Sequence, residues 1–489
     1  MYPALEVDCF SRYPRYVSQY TPGNFMNYLV TGLKCTVSRY LGIAMCVALS
    51  ACASLPDVQN MSSQLTPRNS PTVENGRGDL SSTRAKSVLA SRIRGNNLDV
   101  KKLAALEEAA TGSPLVYGNR TTLLFDGPQA MGSMMAAIRG AENNINLETY
   151  IFDQDEMGMK FASLLIEKQK AGVQVNILYD SIGSIQTPTA FFDNMRAAGI
   201  KVIEFNPVNP LKRFSNWRLN NRDHRKILVV DGKIAFTGGV NITEDYSRSS
   251  LFRSGGKSSD ELGWRDTHIR IEGPAVASVQ LLFLEAWADQ QGGEIPDVDY
   301  FPALPEVGNN LVRVLGGKPG GDFQIYKAYV LAISEAKESI HLTAAYFAPD
   351  VQLLDAITEA ARRGVDVKII FPGISDAGLV FQAGRSFYTA LMDAGVKIYQ
   401  LKASVLHAKT AVIDHTWSTV GSSNLDIRSF LHNSEVNLVI PGSEFGATME
   451  SAFEEDLKNS TLVTKEEWEK RSLSDRMKEW AARNLEYWL

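Results

Sequence analysis

The sequence predicts an α/β protein built from two copies of one domain. Two pairs of segments carry this prediction: Ala171–Tyr179 resembles Arg363–Phe371, and Ala198–Ile203 resembles Ala394–Tyr399. In each segment a helix ends at a glycine and a β-branched strand follows, which is the pattern of repeated β-α-β units. Only two copies are present, at a period far longer than that of solenoid repeats. The chain is therefore expected to be a duplicated α/β domain.

Composition supports a globular protein and argues against one class of partner. With 489 residues and a hydrophobic share of 44%, the chain can form two or more domains with substantial cores. Its formal net charge of -5 argues against a protein that neutralises many phosphates along a nucleic acid. No nucleic-acid partner is expected, and the composition does not indicate an oligomeric state.

Residues 1–52 predict an export signal with a lipid anchor. Arg39 precedes a short apolar run, and Leu49–Cys52 resembles the bacterial lipobox, whose cysteine is diacylated and becomes the mature N-terminus. Met26 is a candidate start, because the stretch from there has the usual length of a signal peptide. Since Ala53 follows Cys52, we expect the periplasmic face of the outer membrane. An uncleaved anchor and a buried strand are the alternatives.

The cysteines also limit the chemistry of the remaining chain. They all lie in this N-terminal stretch, as Cys9, Cys35, Cys46 and Cys52. The rest of the chain therefore has no disulfide, no thiol nucleophile and no cysteine-ligated metal site.

Periodicity divides the chain after the signal. Residues 53–102 begin with a stretch rich in Ser, Asn, Gln and Pro and are expected to be a flexible tether. Residues 103–300 and 301–489 are the first and second predicted domains. The C-terminal stretch 477–489 has helical spacing and predicts a docked final helix. A membrane-surface helix is the alternative, which a polar face not dominated by Lys and Arg disfavours.

The pattern H-x-K-x4-D occurs once in each half, and an asparagine follows seventeen residues after each histidine. The residues are His224, Lys226, Asp231 and Asn241, and then His407, Lys409, Asp414 and Asn424. Two such constellations with the same follow-on are not a chance occurrence. A duplication retained in a protein that no longer catalyses is the alternative.

Strand geometry separates the members that can do chemistry from those that cannot. Residues two apart on a strand project from the same face, so each histidine stands beside its lysine, an arrangement suited to a phosphate oxygen. Asn241 and Asn424 can donate side-chain N–H groups to a non-bridging oxygen. Each aspartate follows its histidine by seven residues, an odd number, and so would project from the other face of the strand. Asp231-Gly232 has the sequence of a two-residue hairpin turn. We therefore predict that Asp231 and Asp414 are structural.

A nucleophilic histidine also needs its second ring nitrogen oriented, usually by a carboxylate. Asp266 and Glu435 occupy matching positions in the strand that follows each motif. They are the candidate orienting residues, and solvated strand residues are the alternative. No H-E-x-x-H motif is present, and a lysine two residues from each histidine opposes cation binding. We expect no metal and no cofactor.

These paired motifs resemble the HKD motifs of the phospholipase D superfamily, and over residues 115–489 the organisation is most similar to bacterial cardiolipin synthases. Further matching segments are Arg222–Lys226, Phe236–Gly239, Trp264–His268 and Gly273–Val276. The resemblance implies two α/β/α sandwich domains packed with pseudo-two-fold symmetry around one active site. It also implies metal-independent transfer through a covalent phosphohistidine, with His224 as nucleophile and His407 as acid and base.

The resemblance further implies membrane phospholipids as partners, with phosphatidylglycerol or phosphatidylethanolamine as substrate. The chain departs from the family in having a lipobox and tether where two N-terminal membrane-spanning helices are usual. Three functions therefore stay open: a phosphatidyltransferase that makes cardiolipin, a phospholipase D-type hydrolase of phospholipid or nucleic-acid diesters, and a catalytically silent lipid-binding lipoprotein. We favour the first.

Overall fold

A computed structural model of the chain describes residues 54–66, 70–93, 98–209, 218–247, 263–295 and 298–487. Apart from Ser54, these residues belong to one unit, Leu55–Leu489. The predicted start at Met26, the lipobox cysteine Cys52 and the other cysteines lie outside the described residues. No helix within the described ranges is long and apolar enough to cross a membrane.

The elements are numbered in chain order. The N-terminal segment forms α1 (Met61–Gln64), β1 (Val73–Asn75), β2 (Gly78–Asp79), α2 (Ser82–Arg92) and α3 (Val100–Thr111). The first half forms β3 (Leu115–Leu124), α4 (Gly127–Arg139), β4 (Asn144–Thr149), α5 (Glu156–Lys170), β5 (Gln174–Asp180), α6 (Thr189–Ala197), β6 (Lys201–Phe205), β7 (Arg222–Asp223), β8 (Ile227–Val230), β9 (Ile234–Gly238), a 3-10 turn (Glu244–Tyr246), β10 (Trp264–Arg265), β11 (His268–Glu272) and α7 (Val276–Asp289).

The second half repeats this order. It forms β12 (Asn310–Gly317), α8 (Gln324–Glu335), β13 (Ser339–Ala344), β14 (Phe347–Ala348), α9 (Val351–Arg362), β15 (Asp366–Pro372), α10 (Gly378–Arg385), α11 (Tyr388–Asp393), β16 (Lys397–Leu401), β17 (Val405–Leu406), β18 (Lys409–Ile413), β19 (Trp417–Gly421), β20 (Leu425–Asp426), α12 (Ile427–Leu431), β21 (Asn433–Pro441), α13 (Ser443–Lys458), β22 (Ser460–Leu462), α14 (Lys465–Glu469) and α15 (Leu473–Arg483).

Equivalent strands occupy equivalent places in one hydrogen-bonded sheet. The first half has the order β6-β5-β4-β8-β9-β11-β3. The second has the order β16-β15-β13-β18-β19-β21-β12. Strands β3 and β12 pair antiparallel and join the halves. Because these two strands are themselves equivalent, their antiparallel pairing lies where a pseudo-two-fold axis relates the halves. The predicted duplicated α/β architecture is confirmed.

Apolar clusters cover both faces of this sheet. Helices α4 to α6 bury Met131, Phe161 and Phe191 on the outer face of the first half, and a corresponding cluster lies in the second half. A third cluster contains residues from both halves, including Ile269 and Leu438. The halves therefore share a hydrophobic interface, and their relative position is fixed by burial of apolar surface.

The expectation of a flexible tether over residues 53–102 is wrong for the described part of that range. Strand β1 pairs with β3 in parallel, with Val73 beside Leu115. Val88 and Leu89 of α2 are buried in the same cluster as these two residues. The apolar stripe of α2 is short and interrupted by Ser, Arg and Lys, so its helical period is weak until the body of the protein supplies the surface that it covers.

Each motif aspartate lies in the turn between the motif strand and the next strand. Asp231 accepts hydrogen bonds from the backbone N–H groups of residues 142–144, at 2.7 to 3.2 Å. Asp414 accepts three from the N–H groups of residues 337–339, each at 2.8 Å. The aspartates thus fix the loops that enter β4 and β13. The connection is one residue longer than the predicted two-residue hairpin, because Val230 pairs with Ile234 and leaves Lys233 as an extra residue.

Candidate active site

The first motif histidine lies where the chain passes from one half to the other. Before His224, strand β7 pairs in parallel with the start of β21, which belongs to the second half. The N–H group of His224 then donates to the carbonyl of Ser434 at 2.9 Å. After Lys226 the chain enters β8 and rejoins its own half. The histidine therefore precedes its strand, rather than lying on it as the motif predicted, and its backbone is anchored to the opposite half.

The second motif histidine has the same arrangement, with the first and second halves interchanged. Strand β17, in the second half, pairs in parallel with β10 of the first half. The N–H group of His407 donates to the carbonyl of Arg265 at 2.8 Å. Lys409 then begins β18. Both histidines are thus placed by hydrogen bonds across the junction of the halves, so neither site is complete in one half alone.

Each of the two candidate orienting carboxylates contacts the histidine of the opposite half. Glu435, in the second half, lies within 3.0 and 3.1 Å of Nδ1 of His224 through its two oxygens. Asp266, in the first half, lies 2.7 Å from Nδ1 of His407. Each carboxylate directly follows the residue whose carbonyl holds the histidine backbone, so the strand pairing itself sets this geometry. Both carboxylates are fully buried, which excludes the alternative of solvated strand residues.

The carboxylates have different neighbours. Glu435 accepts a hydrogen bond from the hydroxyl of Ser422 at 2.5 Å and from the amide of Asn433 at 3.2 Å. Asp266 accepts one from the N–H of Thr267 at 2.7 Å. Gly239 stands at the position equivalent to Ser422, and a Cβ there would lie 2.1 Å from an Asp266 oxygen. Glycine is therefore required beside Asp266.

These neighbours move the two carboxyl pKa values in opposite directions. Burial acts to raise the pKa of Glu435, but His224, Lys226 and the Ser422 hydroxyl outweigh it and lower that pKa below its ordinary value. Burial raises the pKa of Asp266 to about 6, although Lys409 acts in the other direction. The anionic form is thus held more firmly at Glu435 than at Asp266.

Burial keeps both imidazoles neutral. It lowers the pKa of His224 to about 4, because the opposing effect of Glu435 is smaller and Lys226 adds repulsion. Burial and Lys409 hold the pKa of His407 well below its ordinary range. The hydrogen bonds that described residues make to these rings involve Nδ1. A neutral ring that donates from Nδ1 leaves the Nε2 lone pair available for chemistry.

The motif lysines are buried beside the histidines. Nζ of Lys226 donates to the backbone carbonyl of His224 at 2.6 Å. Nζ of Lys409 donates to the backbone carbonyl of His407 and lies 2.9 Å from its Nδ1. Burial lowers the pKa of Lys226 to about 7 and that of Lys409 to about 8. An anionic ligand would favour the charged form of both groups.

Both histidines line one cavity of about 280 Å³. Asn241 and Asn424 line it too, and the two lysines are not among its lining residues. Asn241 is engaged, since its oxygen accepts from the N–H of Ile151 at 3.2 Å and its amide donates to Tyr246 at 3.2 Å. The Asn424 oxygen is buried and has no hydrogen-bond partner among the described residues. The phosphate-binding role of the two asparagines stays a prediction.

Aromatic side chains around the histidines were not predicted from the motifs. Tyr150 lies edge-on to His224, with ring centroids 5.0 Å apart. Trp264 is tilted against His407 at 5.0 Å, and the Tyr246 hydroxyl lies 3.1 Å from Nδ1 of that ring. Tyr150 directly follows β4, and Trp264 begins one of the segments that match the family pattern. They restrict the rings to one orientation.

Arginines add positive charge to the same cavity. Arg222 and Arg428 both line it. Arg222 lies 3.5 Å from Asp180, and Arg428 donates to the side chain of Asn220 at 3.0 Å. Within the described ranges, no group of three or more His, Cys, Asp or Glu side chains could hold a metal ion. The cavity therefore offers two imidazoles and two arginine side chains to an anionic group, and two aspartates line it as well.

Comparison with known proteins gives consistent matches. The family described as "Cardiolipin synthase, PLD-like domain" matches residues 134–251 and 329–457, one region in each half. A cardiolipin synthase of Geobacillus kaustophilus is 36% identical over 375 residues, which cover 76% of this chain and 73% of that protein. Cardiolipin synthase 1 of Bacillus cereus is also 36% identical, over 75% of this chain and 72% of the relative.

A solved structure shares the fold. The crystal structure of phosphatidylserine synthase from Haemophilus influenzae aligns with a TM-score of 0.56, at 13% identity, over 76% of this chain and 95% of that chain. At this identity the likeness concerns the fold alone, and it agrees with the duplicated architecture described above.

Proposed function

The chain belongs to the cardiolipin synthase family with phospholipase D-like domains, and we propose on this basis that it is a phosphatidyltransferase. Its reaction joins two phosphatidylglycerol molecules into cardiolipin and releases glycerol. Phosphatidylethanolamine is a second candidate donor, which would release ethanolamine. The substrates are membrane phospholipids, and no metal or cofactor takes part.

One observation carries the proposal: two imidazoles line the same cavity, and each has its Nδ1 engaged by a buried carboxylate of the opposite half. Transfer between two alcohols in two displacements needs one nucleophile and one group that gives and then takes a proton. Two oriented imidazoles meet that need. A protein that only bound lipid would not need a buried carboxylate at each histidine to orient the ring.

In the first step, Nε2 of His224 attacks the phosphorus of phosphatidylglycerol. The bond from phosphorus to the oxygen of the headgroup glycerol breaks. His407 donates a proton to that oxygen and glycerol leaves. The neutral state of His224 supports its role as nucleophile, since the lone pair is free above a pKa of about 4. The phosphodiester brings a negative charge into the cavity, and this charge raises the pKa of His407 so that it can carry the proton.

In the second step, a hydroxyl of another phosphatidylglycerol enters and His407 removes its proton. The oxygen attacks the phosphorus, the bond to His224 breaks, and cardiolipin is released. Lys226 and Lys409, with Asn241 and Asn424, stabilise the charge on the non-bridging oxygens as the bonds exchange. Water in place of the second lipid would give phosphatidic acid, so the exclusion of water decides between transfer and hydrolysis.

The proposal is tested by incubating purified protein in detergent with phosphatidylglycerol and a chelator, with and without phosphatidylethanolamine. The products are identified by mass spectrometry. We expect cardiolipin and glycerol, and no product from the variant His224→Ala. Phosphatidic acid alone would make the protein a hydrolase. No turnover of phosphatidylglycerol or phosphatidylethanolamine would contradict both.

We also propose that the chain is held in the cell envelope by acylation of Cys52, at the periplasmic face of the outer membrane. The support is the lipobox-like sequence and the Ala53 that follows it. Labelling with a radioactive fatty acid should depend on Cys52 and be lost in Cys52→Ser. Recovery of the labelled protein with the inner membrane on a density gradient would contradict the assignment to the outer membrane.

A further inference from the structure

Helix α15, the last described helix, exposes its apolar face to solvent and packs its polar face against the body of the protein. Its apolar side chains Leu473, Met477 and Trp480 are 77%, 70% and 71% exposed. They recur at a spacing of four and three residues, which places them on one face of the helix. A surface helix of a water-soluble domain normally buries such a stripe. Here the stripe points away from the body.

The opposite face attaches the helix to the body through a buried charge. Glu479 is 2% exposed, and it accepts hydrogen bonds from Arg385 at 3.2 Å and from Arg471 at 2.9 Å. Ala482, three residues further on, is also buried. Rotating the helix to bury the apolar stripe would expose Ala482 and separate Glu479 from its two arginines. The outward direction of the stripe is therefore built into the fold.

Positive charge flanks the apolar stripe. Arg476 and Lys478 are exposed beside it, and Lys478 lies 3.8 Å from the partly exposed Asp475. Glu479, by contrast, is already neutralised by two arginines within the body. An outward apolar face with a tryptophan and flanking cations has the chemistry of a helix that lies in the interface of an anionic bilayer.

This helix lies next to the wall of the catalytic cavity. Arg385, the partner of Glu479, is the last residue of α10. The same helix α10 contributes Val380 to the lining of the cavity, and its Leu379 is 59% exposed. Helix α15 therefore contacts, through Arg385, the helix that borders the cavity, and that helix has one exposed apolar side chain of its own.

We propose that α15 is a docking surface for a phospholipid bilayer with anionic headgroups, and that it holds the cavity at the membrane surface from which the substrates come. This rests on the proposed function for the identity of the substrates, but the docking itself can be measured without turnover. The exposed Leu473, Met477 and Trp480 enter the interface, while Arg476 and Lys478 meet the headgroups.

The first test uses a dye whose emission depends on polarity, attached at Met477→Cys in the full chain with its four native cysteines changed to serine. On phosphatidylglycerol vesicles we expect a blue shift and about a two-fold or greater rise in intensity, and a smaller change on phosphatidylcholine vesicles. The control carries the dye at Leu281→Cys on α7, where the native side chain is 49% exposed. No shift at 477, or an equal shift at 281, would overturn the proposal. So would a shift that appears without vesicles as protein concentration rises, since it would indicate a second copy of the chain as the occupant.

The second test compares two triple serine variants. One changes Leu473, Met477 and Trp480, and the matched control changes the exposed Met159, Leu281 and Phe301. On vesicles we expect the α15 variant to lose about ten-fold in transfer rate relative to the control, with equal rates on short-chain phosphatidylglycerol dispersed as monomers. Equal rates on vesicles would overturn the docking proposal. A wild-type chain that docks at residue 477 but makes no cardiolipin would instead contradict the proposed function.

Discussion

The two halves share one backbone plan but place their histidines in different surroundings. His224 faces both oxygens of Glu435, whose anionic form is stabilised further by the Ser422 hydroxyl. His407 faces one oxygen of Asp266, a carboxyl with its pKa raised to about 6, and also contacts the hydroxyl of Tyr246. The ring of His224 therefore has a carboxylate partner whose anionic form is held more firmly than that of the partner of His407. The two imidazoles thus have equivalent backbone positions but different carboxylate partners.

This comparison supports His224 as nucleophile and His407 as the acid and base. A permanently anionic partner stabilises the positive charge that an attacking imidazole develops. A carboxyl whose anionic form is held less firmly suits a ring that gives and takes a proton.

The largest expected effect comes from removing either ring. We expect His224→Ala and His407→Ala each to lower kcat by about 10⁴-fold or more, with unchanged circular dichroism. A donor with an activated leaving group, such as a p-nitrophenyl ester, should restore formation of the phosphoenzyme in His407→Ala and not in His224→Ala. Restoration in His224→Ala would reverse the assignment, and near-normal activity in either variant would contradict the two-histidine mechanism.

Replacing each carboxylate by its amide tests whether a residue of one half stabilises the histidine of the other half. Glu435→Gln should lower the rate of phosphoenzyme formation by roughly 10²–10⁴-fold, because the positive charge that develops on His224 loses its counter-ion. Asp266→Asn should lower kcat less and should alter the pH dependence of the second step. Rapid-quench kinetics separate the two steps. If Glu435→Gln slowed only the second step, Glu435 would not stabilise the attacking ring of His224.

The lowered pKa values of the two motif lysines predict how kcat/KM depends on pH. The pKa of Lys226 is lowered to about 7 and that of Lys409 to about 8, so both lose their charge as pH rises through this range. The pKa of His224 is lowered to about 4, so this ring is already neutral above that pH. We expect kcat/KM to fall by up to ten-fold per pH unit above a pH of about 7, as the lysine charges are lost. In Lys226→Met, the alkaline fall should move towards 8. A flat alkaline profile would show that the lysine charges do not contribute.

The smallest effect on catalysis is expected at the motif aspartates. Asp231→Asn and Asp414→Asn should each lower the free energy of unfolding by about 2–3 kcal/mol, because an amide cannot accept the full set of backbone hydrogen bonds that each carboxylate accepts. Activity per folded molecule should stay near that of the wild type. Denaturant unfolding measures the first and an activity assay the second, with the exposed Asp79→Asn as control. A loss of activity in the stable fraction would give these aspartates a chemical role.

The sequence was informative where structure is local or repeated. The duplicated β-α-β order and the turn positions of Asp231 and Asp414 follow from short-range patterns. The exchange of Asp266 and Glu435 does not, because it depends on two-residue strand pairings formed only when the halves dock. Packing of the segment before residue 103 was missed for a similar reason. Its short apolar stripe is informative only next to the surface that it covers.

The most direct test of the two-histidine account is to stop the reaction with phosphatidylglycerol by rapid quenching under alkaline conditions and to sequence the modified peptide by mass spectrometry. The account predicts a phosphatidyl group on His224, formed in the wild type and accumulating in His407→Ala with an activated donor. Modification of His407 instead, or turnover with no modified histidine in a quench that captures the burst, would contradict it.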